Sequence, residues 1–395
     1  MPHSSISADH DRTSVPGTGR TVKAVSTFAA LCVLAAGVAV TASTASAEDH
    51  RSGPVIQKDL NGLVKIGFPA ALASVRGRDG QIRNYTAGVG DIPTQAPVPV
   101  NGQVRIGSNT KTFVSVAVLQ LVGQGKIDLE APIERYLPNL LRGQGIDGHA
   151  ITVRQLLQHT SGLPEYTDLL GPDVRTIQHV YLDARTLIDM ALTLPATFAP
   201  GTSWSYSNTN YIVAGLLLEK VTGRPVSEVI DSQVIKRAGL RDTYFPPVGE
   251  QDIRERHPNG YQRAQGDQPL LDVSSIDGSW AGAAGQIVST PSDVNKFYSE
   301  LIGGKLLPPA QLAEMRTTIP APGFPAGARY GLGLAGTPLS CGGVMWGHGG
   351  NIYGFEVLDG VTEDGRAATV AVTALPQKIE EQNQVAQAVD DALCK

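Results

Sequence analysis

The chain has 395 residues, 42% of them hydrophobic and 17% charged, with a formal net charge of -5 and a pI of about 5.9. That composition excludes wholesale disorder, and its acidic balance leaves no electrostatic footprint for a nucleic acid. Three Cys are too few for a disulfide scaffold and stand too far apart for a zinc cluster.

Residues 1–23 are polar and carry Arg12, Arg20 and Lys23; Phe28 to Val40 is apolar, and Ala45-Ser46-Ala47 follows. These are the three parts of a secretory signal peptide, with cleavage near Ala47 and a secreted chain of 48–395. No later apolar run reaches roughly 18 residues, so no stable membrane anchor is expected after cleavage. Cleavage also removes Cys32 and leaves Cys341 and Cys394, which an oxidising compartment is expected to pair.

After a linker at 48–55, Phe68–Val75 and Gln81–Gly90 alternate around Arg78-Asp79-Gly80 and predict a β-hairpin. Thr112 to Val122 is apolar nearly all round, and its length predicts a buried helix. The middle, about 130–325, is predicted mostly helical: 153–158, 184–192, 210–221, 226–238, 292–302 and 309–316, several of them opening after Asp, Ser or Pro. Strands return at 330–334, 344–347, 353–358 and 367–375, and 379–393 closes the chain as an amphipathic helix. The fold class is therefore α/β, an antiparallel sheet formed from both chain ends and flanked by helices, with an inserted mostly helical lobe. A cleft between sheet and lobe is the expected place for a site.

Three motifs carry chemistry. Ser108-Asn-Thr-Lys111 opens the buried helix, and a spacing of three puts both side chains on one face, one turn apart. The helix N-terminus supplies free N–H groups, and a partly desolvated Lys can serve a Ser nucleophile as base. Tyr206-Ser-Asn208 lies in a polar loop before another apolar helix: a phenol can relay a proton, and the amide can hold a substrate carbonyl. His348-Gly349-Gly350-Asn351 lies between two strands, where glycines let a substrate backbone lie against the strand edge. The N–H groups of Ser108 and Asn351 are candidate oxyanion donors. No metal cluster or phosphate loop is present in the sequence, so no cofactor is implied.

Taken together, Ser-x-x-Lys, Tyr-x-Asn about a hundred residues on and a late His-x-Gly resemble the β-lactamase-related serine hydrolases, which include DD-peptidases and class C β-lactamases. Gly125-Lys-Ile-Asp-Leu129, His159-Thr-Ser-Gly-Leu163, Ser279-Trp280, Ala284-Gly285 and Tyr330-Gly-Leu-Gly-Leu334 extend the likeness over the mature chain. The pattern is most similar to secreted actinomycete D-alanyl-D-alanine carboxypeptidases, including the late cysteine pair. The resemblance implies Ser108 as nucleophile, Lys111 as its proton acceptor or electrostatic partner, and Tyr206 as general base and acid. It further implies Asn208 orienting the substrate amide, His348 supporting Tyr206 and the leaving group, and Trp280 walling the cleft, for which a buried core Trp is an equal reading. His159 is read as structural, because its Thr-Ser-Gly neighbours look like a helix end. The implied partners are D-amino-acid peptides derived from peptidoglycan, with β-lactams as inhibitors that acylate the same Ser.

The pattern departs at the anchors for a free substrate carboxylate. Carboxypeptidases of this type use hydroxyls in the third motif and an Arg just past the Tyr-Gly-Leu-Gly-Leu segment; here the positions hold Gly349, Asn351 and Ala335. Charge-assisted hydrogen bonds contribute roughly 1.5–3 kcal/mol each, so their loss bears on substrate choice. Arg329 and Arg263 are the candidate substitutes. The function expected first is a secreted serine D-alanyl-D-alanine carboxypeptidase or transpeptidase working through an acyl-enzyme. The His-Gly-Gly motif also suits D-aminopeptidase-like, D-amidohydrolase or esterase relatives, the alternative, and a β-lactamase is expected less because it usually has Lys where His348 stands.

Overall fold

A computed structural model describes residues 45–171, 173–263 and 269–395, with side chains from Gly53 onward. Residues 1–44 of the expected export segment lie outside the described residues, and its Ala45-Ser46-Ala47 falls at the start of the first helix. Among those described, no helix is long and apolar enough to cross a membrane.

The chain opens with helix α1 (Ala45–Lys65). This replaces the linker expected at 48–55. Ile56, Leu60 and Leu63 recur at helical spacing and are buried, so packing carries the helix even with Pro54 inside it. The hairpin follows as β1 (Ala70–Arg76) and β2 (Ile82–Asp91). Helix α2 (Thr110–Gly123) comes next, buried along nearly its whole length, as its uniform hydrophobicity requires.

In the lobe, the segments that position the site are α3 (Thr209–Thr222) and α4 (Gly282–Gly285), followed by α5 (Pro291–Ile302). The lobe also contains two-stranded pairings that the helical reading did not foresee, such as Tyr261–Arg263 with Leu270–Asp272. The tail supplies β3 (Ala335–Pro338), β4 (Val344–Gly347), β5 (Gly349–Ile352), β6 (Phe355–Thr362), β7 (Ala367–Val372) and helix α6 (Ile379–Cys394). The strand expected over 330–334 is broken. Arg329–Tyr330 pairs with β3 across a reversal at which Gly333 has φ +72°, a conformation only glycine adopts freely.

One ten-stranded antiparallel sheet joins the two chain ends in the order Ile319–Pro320, Arg329–Tyr330, β3, β4, β6, β7, β1, β2, Ala96–Pro97, with β5 also paired to β6. Strand alternation assigns its faces. Ala71, Ala73, Val370 and Val372 pack against α1 and α6, whereas Leu72, Val357 and Ala371 belong to the larger core with α2 and α5. Phe113 of α2 stacks on Phe297 of α5, ring centroids 3.7 Å apart. Cys341 and Cys394 form a disulfide that ties the end of α6 to the loop before β4.

Candidate active site

Ser108 sits in the 3-10 turn Gly107–Asn109 that leads into α2, half-buried where the sheet meets the lobe. One turn on, Lys111 is fully buried. Its Nζ lies 2.9 Å from Ser108 Oγ, 2.6 Å from Asn208 Oδ1 and 2.8 Å from the carbonyl oxygen of Ala284 in α4. Two of those partners can only accept. A neutral amine has two N–H bonds to give them and one lone pair, which then faces the Ser108 hydroxyl. Burial pushes the Lys111 pKa down to about 7, against the opposing pull of Glu165.

Glu165 is the residue the sequence reading missed. Its Oε2 accepts from the Asn208 N–H at 2.6 Å and from Asn208 Nδ2 at 3.0 Å, which fixes the amide so that Oδ1 faces Lys111. Oε1 accepts from the Thr167 N–H at 3.0 Å and retains acceptor capacity. The Pro-Glu-Tyr that follows His159-Thr-Ser-Gly-Leu163 was the only signal available, since an isolated Glu in a loop reads as surface.

Tyr206 is half-buried, its ring centroid 4.9 Å from Lys111 Nζ. Burial raises its phenol pKa well above the usual value, and the neighbouring Ser108 hydroxyl opposes this. His159 stacks on the Tyr206 ring, centroids 4.3 Å apart. Its Nδ1 accepts from the Ser207 N–H and from Asn210 Nδ2, so the ring is neutral and acts as a support. This agrees with the structural part expected of it.

His348 is buried beyond Tyr206, ring centroids 6.3 Å apart. Its Nδ1 donates to the Gly349 carbonyl at 2.6 Å, which leaves Nε2 to accept from the Tyr330 hydroxyl at 2.9 Å. Burial, then the charge of Lys111, lower its pKa to about 3, so it is neutral at physiological pH. Both nitrogens are engaged away from Tyr206, so any support His348 gives that phenol acts through packing.

β5 brings the third motif to Ser108. Ile352 and Phe355 close the two-residue turn Tyr353-Gly354, and Asn351 opposes Glu356 one pair further out. In such a hairpin the backbone groups at that pair point away from the partner strand. Here they face the Ser108 turn: a Cβ on Gly107 would lie 2.8 Å from both the N and the O of Asn351. Gly350 has to be glycine, because a Cβ there would stand 1.9 Å from the Ile106 carbonyl oxygen. Gly349 and Gly350 thus hold a strand edge against the Ser108 turn. Trp280 is nearly buried, accepts through its carbonyl from Tyr166, and packs 5.2 Å from the Tyr353 ring at the tip of the same hairpin.

The carboxylate-anchor positions are apolar or backbone-like. Ala335 is buried opposite Gly347. Arg329 donates to the Thr318 hydroxyl and carbonyl at the sheet edge. Arg263 lines a separate cavity of about 440 Å³ with Lys378 and Glu381. Neither arginine joins the residues around Ser108.

The Beta-lactamase family profile matches residues 56–393. The chain belongs to the Beta-lactamase family. Its fold superposes on a D-stereospecific amidohydrolase from Streptomyces sp. with a TM-score of 0.78 and 37% identity, covering 85% of this chain and 98% of that one. A D-amino acid amidase from Ochrobactrum anthropi SV3, complexed with L-phenylalanine amide, gives a TM-score of 0.77 and 28% identity over 87% and 97% of the two chains. PbpX of Bacillus subtilis, which carries a penicillin-binding-protein name, is 28% identical over 322 residues, 80% of this chain and 72% of that protein. This member of the family is thus a serine hydrolase of β-lactamase fold, flanked by amidase and penicillin-binding relatives.

Proposed function

We propose that the protein is an exported serine amidohydrolase that cleaves amides, peptides or esters of D-amino acids bearing a free amino group. The observation that carries this reading is the distribution of charge around Ser108. A carboxylate, Glu165, stands beside the amide that orients the substrate, while Ala335, Gly349 and Asn351 occupy the positions where a carboxypeptidase grips a carboxylate. A substrate ammonium therefore has a counter-charge, and a substrate carboxylate has none. The Streptomyces and Ochrobactrum likenesses support the D-amide class, and the disulfide is in keeping with export.

In this mechanism neutral Lys111 takes the Ser108 proton as Oγ adds to the substrate carbonyl. The N–H groups of Ser108 and Asn351 stabilise the oxyanion, and Asn208 holds the acyl portion along the β5 edge beside Trp280. Tyr206, a phenol at neutral pH, gives its proton to the departing nitrogen or oxygen and is reprotonated through Lys111. The C–N or C–O bond breaks and the acyl-enzyme remains; water then adds by the reverse proton path. His348, with Gly349 and Gly350, keeps the strand edge in place.

The test compares D-phenylalaninamide, its L-enantiomer, its N-acetyl derivative and an acylated D-Ala-D-Ala peptide, each with wild type and Ser108→Ala. Turnover confined to the free-amino D-amide, and lost in the variant, is the expected result. Preferential release of D-Ala from the acylated peptide, with covalent capture of a labelled penicillin, would instead establish the DD-carboxypeptidase reading that the PbpX likeness favours.

A further inference from the structure

Tyr206 is bordered by an aromatic cluster. Phe324, on the turn-rich loop 321–328, lies 6.0 Å from the Tyr206 ring, 5.7 Å from Trp204 at 89°, and 6.4 Å from His348 at 89°. Ala321, Tyr330 and Ala335 form the buried floor of this cluster, while Trp204 and Phe324 remain half-exposed above it. The loop is pinned by the Phe324 N–H donating to Ala321 O at 3.2 Å and the Ala328 N–H donating to Pro325 O at 2.9 Å. Lys111, Asn208 and Glu165 are tied to one another by hydrogen bonds, and none of them belongs to this apolar cluster.

We propose that Trp204 and Phe324 form a leaving-group subsite that selects uncharged, preferentially aromatic leaving groups. The inference rests on the amidohydrolase reading, in which Tyr206 protonates the group that departs; whatever departs must then lie against the rings beyond it. A ring there gains offset or edge-on contact with Trp204 and Phe324. A carboxylate loses water against Ala335 and aromatic carbon without an ion partner. In the step itself the Ser108 Oγ–carbon bond forms, the carbon–nitrogen bond breaks, and the nitrogen leaves as a neutral amine carrying the proton from Tyr206. The aromatic wall favours this step for an anilide over a D-Ala leaving group.

The experiment measures kcat/KM for D-alanine p-nitroanilide, D-alaninamide and D-Ala-D-Ala with wild type, Phe324→Ala and the volume-keeping Phe324→Leu. The expected order in wild type is anilide, then amide, then dipeptide. Phe324→Ala should lower the anilide-to-amide ratio by about tenfold, and Phe324→Leu by less. An unchanged ratio in a folded Phe324→Ala, or a dipeptide that matches the anilide in wild type, overturns the proposal. NMR binding of aniline, which needs no turnover, separates the two readings. Should no D-substrate react, aniline bound by wild type and lost in Phe324→Ala leaves the subsite standing while the amidohydrolase reading falls. Equal aniline binding, or none, removes the subsite.

Discussion

Two buried charge centres in this protein show opposite uses of the same physics. Lys111, at the head of α2, is fully buried and surrounded by three oxygen partners; burial brings its pKa down to about 7. Glu356, in β6, is equally buried, and neither carboxylate oxygen has a hydrogen-bond partner; burial brings its pKa up to about 7. Both groups therefore titrate near neutrality, from opposite directions. The difference is in partners. Around Lys111 the acceptors are arranged so that losing a proton leaves every neighbour satisfied, which is what a base requires. Glu356 pairs across the sheet with Val372 in the apolar layer under α1 and α6, where its charged form only costs stability. A shifted pKa marks a site only when convergent geometry accompanies it.

The largest expected effect tests the first half of that contrast. Ser108→Ala should lower kcat by about 10^4-fold or more without lowering the melting temperature, measured on whichever D-amide the wild type turns over. Lys111→Met should cost about 10^2- to 10^4-fold, and the wild-type kcat/KM should rise with pH through a limb near 7 that this variant lacks. Glu165→Gln removes the charge that opposes Lys111 deprotonation, so the same limb should move to lower pH. A limb that stays fixed would separate Glu165 from the electrostatics of the base.

Stability measurements address the other half. Reducing the Cys341–Cys394 bridge releases a loop of 53 residues, for which chain entropy predicts a loss of about 4 kcal/mol in denaturant unfolding. Glu356 has a smaller effect of definite sign. Its folded pKa lies above its unfolded value near 4.3, so its contribution is intact below that pH and is lost as pH rises towards 7. Glu356→Gln should therefore be more stable than wild type at pH 8, by on the order of 3–4 kcal/mol, and no more stable at pH 4. Equal pH profiles for the two proteins would mean that Glu356 finds a partner in solution, and the comparison with Lys111 would lose its force.

Most of the site was legible in the chain because local spacing determines it. Ser108 and Lys111 share a helix face by periodicity, the glycines before Asn351 announce a close backbone approach, and the apolar runs place α2 and α3 in the core. The elements that escaped were those whose sequence signal is weak. Pro54 and flanking polar residues disguised α1, although Ile56, Leu60 and Leu63 carry its buried face, and the strand before β3 was read through a glycine turn.

By itself, then, the sequence determined the fold class and picked out the hydroxyl, amine, phenol and amide that the fold brings together, because side-chain type and short-range spacing are written directly in it. Only the tertiary structure decided that the Ala284 carbonyl completes the shell of Lys111, that Glu165 holds Asn208, that His348 turns to Tyr330, and that Arg329 is occupied elsewhere. The reason is physical. A backbone carbonyl has no residue signature, and a hydrogen bond between residues far apart in the chain depends on how the lobe docks onto the sheet, which the packing of the whole core sets.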